Sequence, residues 1–264
     1  MSVSEIAKAR PLKRILALGS SEVTFDGDGP EMTVHRLIAA ELSTLMPEYS
    51  WHVEARVVYQ MANMPDRCAR YAEEVGPDAI LLWAGGNAIA EETVSYAIYR
   101  RFPRIYRHFD RMVNAGRSLS GGGTEGSASI RGLLFRAPRA LARFVFGQAS
   151  LCDPEVARDA TVETLVRLSS RWPVVCRLAF PSSRQASQAA AVRQKVEEYN
   201  DAMATECVRL GVPYYEPVRE ALECGVNYAM GPDGLHADLV SRKAGAQVAA
   251  RFLARALAEA GPSG

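Results

Sequence analysis

The sequence predicts an α/β fold: a parallel sheet with helices on both faces. Three observations predict it. Short, nearly continuous apolar runs recur along the chain, each closed by glycine or proline. Stretches with apolar residues at helical spacing separate them. The first and third runs hold no polar residue beyond a leading arginine, which suits strands buried on both faces.

The elements follow in order. Arg14 to Leu18 is the first strand, closed by Gly19. From Glu31 to Met46, apolar residues at Val34, Leu37, Ile38, Leu42 and Leu45 line one helical face. Trp51 to Val58 is rich in β-formers and gives a second strand. Asp66 to Val75 is a helix ended by Gly76-Pro77. Ala79 to Ala84 is a third strand, stopped by Gly85-Gly86. Asp159 to Ser169 is helical, and Pro173 to Phe180 is a fourth strand ended by Pro181. A long helix spans Ala189 to Leu210 and stops at Gly211. Val212 to Tyr215 is a fifth, short strand, and a last helix runs from about Ser241 to Ala258.

One stretch interrupts this rhythm. Residues 99 to 150 separate the third and fourth strands by more than a crossover needs. Ten arginines lie between Arg100 and Arg143, against Asp110 and Glu125. A small-residue linker, Ser118 to Ser127, divides it, and a basic amphipathic helix pattern follows. The expectation is one domain over residues 1–264 carrying this Arg-rich insertion. The insertion is either a solvated face with snorkelling stems or a lid offering arginines to an anionic or acyl-carrying substrate.

At 264 residues the chain can bury a full core. Its net charge of +1 gives no general pull toward nucleic acid or acidic membranes. Five scattered cysteines without a C-x-x-C pair argue against a disulfide framework and a structural zinc site, and suit a reducing compartment. Cys176 and Cys207 are expected in the core. No apolar segment precedes the first strand, and no run reaches the length of a membrane span. A cytoplasmic protein without membrane-integral contact or nucleic-acid partner is therefore expected.

Chemistry points to the strand ends, because parallel sheets form sites at the carboxyl ends of their strands. Ser21 follows the first strand and Asn87 the third. Asp233 stands three residues before His236 in a loop ahead of the last helix. Serine needs a base to take its proton, and that base needs an acid to orient it. Asp233 and His236 supply such a pair. The oxyanion of acyl transfer needs fixed donors, for which the Ser21 N–H and the Asn87 amide are candidates. Ser20 is the alternative nucleophile, and Asp233 in Pro-Asp-Gly is also a turn residue in its own right. G-x-S-x-G, H-E-x-x-H and P-loop patterns are all absent.

Gly19-Ser-Ser21, Gly85-Gly-Asn87 and Asp233-Gly-Leu-His236, in this order, resemble the SGNH (GDSL-type) hydrolase family. The resemblance implies a flavodoxin-like, three-layer α/β/α fold with a sheet of about five strands. It also implies a cofactor-free serine esterase, with Ser21 as nucleophile, Asp233 and His236 completing the triad, and Asn87 in the oxyanion hole. The family's G-D-S, oxyanion glycine and G-x-N-D blocks are each altered. Ser20 replaces the aspartate and Ala88 follows Asn87. Tyr59 to Asn63 holds no glycine, so a backbone donor there would come from Gln60, Met61 or Ala62, with Met61 taken as the site residue. The expected substrate is a small acyl ester or thioester. Acyl transfer to another acceptor and a non-catalytic binding role are the alternatives.

Overall fold

The structure, a computed structural model, describes residues 10–58, 63–84, 152–179, 189–229 and 236–261, together with 89, 92–93, 101, 145, 149–150 and 231. Two compact units emerge: Met1–Asn87 with Pro154–Gly264, and Ala88–Asp153 between them. In the second unit Glu92–Thr93 pairs antiparallel with Ala149–Ser150, which brings its two ends together. Most of the arginines that mark this stretch in the sequence lie outside the described residues.

The first unit is built on five parallel strands: β1 (Leu12–Gly19), β2 (Ser50–Val57), β3 (Ala79–Trp83), β4 (Val174–Arg177) and β5 (Tyr214–Tyr215). Their spatial order is β2-β1-β3-β4-β5. This is the flavodoxin-like order, whose direction of winding reverses between β1 and β3. The register runs Leu12 with Ser50, Ile15 with Ala79, Ile80 with Val174, and Cys176 with Tyr214.

Among the described residues six helices accompany the sheet: α1 (Val34–Leu45), α2 (Met64–Val75), α3 (Pro154–Ser169), α4 (Ala189–Leu210), α5 (Pro217–Glu223) and α6 (Leu239–Ala260). Successive strand residues point to opposite faces. Ile15, Ala17, Ala79, Leu81 and Val175 share one core with Ile38 and Leu42 of α1 and Ala246, Ala249 and Leu253 of α6. The alanines of α6 leave room for that helix to lie close to the sheet. The opposite face is covered by α2 and α3, with α4 packed on α3 and tied to it by Thr161 Oγ1 and Tyr199 Oη at 3.1 Å. All five residues of β3 are buried, as the apolar run predicts for a central strand.

Local chemistry sets the element ends. Pro65 sits in the first turn of α2, where its missing N–H costs nothing. Gly76 ends that helix at φ 58°, a left-handed conformation that glycine adopts without steric cost. The fourth strand stops at Arg177 rather than running on to Phe180. Beyond it, Asn200 of α4 accepts from the Ala179 N–H at 3.0 Å and donates to its carbonyl at 2.8 Å, replacing a strand partner with a side chain. Sequence periodicity missed α5, which has only seven residues and no apolar stripe to signal it.

Cys68 of α2 is fully buried, and that burial pushes its thiol up to about 12, with Arg67 opposing the shift. The folded chain therefore keeps a proton that the unfolded chain releases above about 8.5, so stability is present below that pH and lost as pH rises toward 12. Urea unfolding between pH 8 and 11 should show a declining free energy. In Cys68→Val that decline should be shallower by up to about 1.4 kcal/mol per pH unit. Parallel profiles would place the alkaline loss elsewhere.

Candidate functional site

At the end of β1 the chain turns sharply. Gly19 accepts from the Val58 N–H at 2.7 Å, and the Ser20 carbonyl accepts from the Val23 N–H at 3.2 Å. Ser21–Thr24 then forms a single 3₁₀ turn that starts at the candidate nucleophile. Gly19 suits a close approach: a Cβ there would lie 3.0 Å from the Trp83 ring at the end of β3, so the indole would have to shift. The ends of β1 and β3 are thus in contact through an indole.

His236 is held from both sides. Its carbonyl accepts from the Gly231 N–H at 2.8 Å, and two residues on, the Asp238 N–H donates to the Ala229 carbonyl at 3.0 Å. Asp238 also caps α6, its carboxylate accepting from the Ser241 N–H at 2.7 Å, while the Ser241 hydroxyl accepts from the Ala229 N–H at 2.8 Å. One helix N-terminus and one short two-sided ladder therefore fix the loop that carries the histidine.

The half-buried imidazole stacks on Phe25, with centroids 3.9 Å apart and planes 10° from parallel. Phe25 immediately follows the Ser21–Thr24 turn. The Arg242 guanidinium also lies over the Phe25 ring, 5.1 Å from its centroid. Arg242 is 2% exposed, donates to the Met32 carbonyl at 2.8 Å and pairs with Asp28. It thereby fastens the 25–32 segment to α6.

Beneath this surface lies a second, charged layer. Glu22 is 4% exposed and Arg177 is 7% exposed. Their charged groups face each other at 3.5 Å, and Arg177 donates to the Tyr228 hydroxyl at 3.1 Å. Burial opposes the charge on Arg177, yet Glu22, with Tyr228 and Tyr215, outweighs it and raises its pKa. Burial, then Glu22, raises the Tyr228 pKa, so its phenol keeps its proton.

Of the residues singled out in the sequence, Ser21 lies at the start of the turn and His236 beside that turn's end. Asn87, Met61 and Asp233 lie outside the described residues. His35 of α1 packs locally, its Nδ1 3.0 Å from the Val23 carbonyl. Among the described residues no cluster of histidine, cysteine or carboxylate side chains could hold a metal ion, and no helix is long and apolar enough to cross a membrane. Phe25, Glu22, Arg177, Tyr228 and Arg242 escaped the sequence reading. One signal was available: Arg177 is a charge inside an otherwise apolar strand run.

No protein-family model and no curated protein matches this chain. Solved structures do match over almost its whole length. The TesA structure aligns with a TM-score of 0.55 at 13% identity, covering 92% of this chain and 99% of that one. LAE5, an alpha/beta hydrolase enzyme from the metagenome of Lake Arreo, Spain, gives 0.54 at 14%, covering 93% and 95%. A member of the lipolytic protein G-D-S-L family from Veillonella parvula DSM 2008 gives 0.53 at 11%, covering 92% and 99%. At these identities the likeness establishes a shared fold.

The Phe25–His236 stack makes a direct prediction. Phe25→Leu keeps an apolar side chain but removes the flat surface that sets the imidazole plane. The His236 ring protons should then lose the upfield NMR shift that a stacked phenyl ring imposes. Unchanged ring-proton shifts would mean that the stack does not set the imidazole plane.

Proposed function

We propose that this protein is a serine hydrolase that cleaves a carboxylic ester or thioester through an acyl-enzyme. The observation that carries the reading is the Phe25–His236 stack. It brings the candidate base against a turn whose first residue is Ser21, although the two are far apart in sequence. The position of that turn, at the β1 end beside the β1/β3 reversal, supports the same reading. Structures of the same fold include one from a lipolytic G-D-S-L family and one named as an alpha/beta hydrolase enzyme.

In this reading His236 takes the Ser21 hydroxyl proton as Oγ attacks the acyl carbon. Asp233 holds the imidazole in the tautomer that accepts that proton. The tetrahedral oxyanion is received by the Ser21 N–H, the Asn87 amide and a backbone N–H at Met61. His236 then hands its proton to the leaving alcohol or thiol, leaving an acyl ester on Ser21. Water, deprotonated by His236, attacks that ester and releases the acid, and Ser21 regains its proton. No step requires a metal or organic cofactor. The proposed setting is cytoplasmic, with a small acyl ester or thioester as the partner and no nucleic acid.

Treatment with a fluorophosphonate probe should label the wild-type chain at Ser21, and Ser21→Ala should lose the label. Ester turnover should fall roughly a thousandfold or more in Ser21→Ala and in His236→Ala, with folding retained. Turnover of p-nitrophenyl esters by Ser21→Ala at the wild-type rate would overturn the proposal.

A further inference from the structure

Glu22 is the residue after the candidate nucleophile, and it is a carboxylate with almost no access to water. The proposed chemistry does not use it. Its partners lie on other segments of the chain. Arg177 is the last residue of β4, and Tyr228 opens the stretch that leads to His236. The three side chains close a ring. The Arg177 guanidinium donates to the Tyr228 hydroxyl at 3.1 Å, that hydroxyl donates onward to Glu22 Oε1 at 3.4 Å, and Glu22 Oε2 lies 3.5 Å from Arg177. The Arg177 guanidinium also lies over the Trp83 indole, 4.1 Å from the ring, and Trp83 ends β3.

The space between these groups is a cavity of about 10 Å³, bordered also by Arg242. That is room for no more than about one water molecule. Shielded from bulk water, the three groups strengthen one another's bonds.

We infer that Glu22, Arg177 and Tyr228 are positioning residues that register the Ser21 turn against the His236 loop. The catalytic consequence rests on the hydrolase reading above; the mechanical coupling does not. The bonding order follows from the protonation states. Tyr228 retains its phenolic proton and is the one member able both to accept from the guanidinium and to donate to the carboxylate. It is also the member on the histidine loop. Breaking the ring at Tyr228 leaves the Glu22–Arg177 pair in place but removes the hydroxyl that links it to the Tyr228 segment.

Tyr228→Phe removes a single oxygen and tests this directly. Hydrogen exchange followed by mass spectrometry should show faster exchange in peptides covering 19–25 as well as in those covering 226–238, with α1 unchanged. Fluorophosphonate labelling should slow at least fivefold, and kcat on p-nitrophenyl acetate should fall by a similar factor with KM within twofold of wild type. Faster exchange confined to 226–238, or a rise in KM with kcat unchanged, would overturn the inference. Coupled exchange in a protein whose wild-type form is never labelled would sink the hydrolase reading and still support the registration.

Discussion

A guanidinium buried at the end of a central strand imposes a demand on everything around it. Taking an isolated charge of this size out of water costs several kcal/mol, and the cost falls only if an opposite charge and further hydrogen bonds are supplied. Arg177 is in that position, 7% exposed, with the Trp83 ring against its face. The counter-charge is Glu22, and Glu22 can reach only if the chain leaving β1 folds at once into a tight turn across the sheet edge. The 3₁₀ geometry at Ser21–Thr24 meets that electrostatic requirement. The candidate nucleophile thereby inherits its location from the residue that follows it.

Trp83 connects this pair to the backbone. Its indole packs so close to the end of β1 that a Cβ on Gly19 would lie 3.0 Å from the ring and push it aside. In a sheet that reverses its winding between these two strands, the loops above them diverge and leave a crevice. The indole and the charged ring form a floor close to the strand ends. Above that floor stands a second stack in which Phe25 meets the His236 imidazole and the Arg242 guanidinium. Arg242 is answered in turn by Asp28 and the Met32 carbonyl, so the 25–32 segment and α6 are held together by one buried cation.

The layered architecture was legible in the sequence because burial on two faces leaves an unmistakable apolar run, as in Ala79–Trp83. Glycine and proline likewise marked most of the stops. The end of β4 was not legible: the Asn200 amide that displaces a strand partner is contributed by a helix some twenty residues downstream. Ser21 and His236 stood out because their residue types carry chemistry at recognisable positions. The groups that bring those segments together did not. Glu22, Arg177 and Arg242 are charged, and composition alone assigns charged residues to the surface. Only the fold reveals that their partners come from opposite ends of the chain. Phe25 offered no signal either, since a lone aromatic in a polar loop gains meaning only from the ring it faces.

The charged floor also bears on which carboxylate can serve the imidazole. A triad acid must keep a lone pair available for the histidine N–H and an uncompensated negative charge to balance imidazolium. The Glu22 charge is already compensated: one oxygen faces the Arg177 guanidinium and the other takes the Tyr228 hydroxyl. Its proximity to the nucleophile in sequence is therefore no argument for a catalytic role. Asp238 is committed as well, because its carboxylate caps α6 through the Ser241 N–H. Asp28 answers Arg242. With Glu22, Asp28 and Asp238 each tied to a structural partner, the proposed division of labour assigns His236 to Asp233. Glu22, Asp28 and Asp238 hold the frame in which that pair is proposed to work.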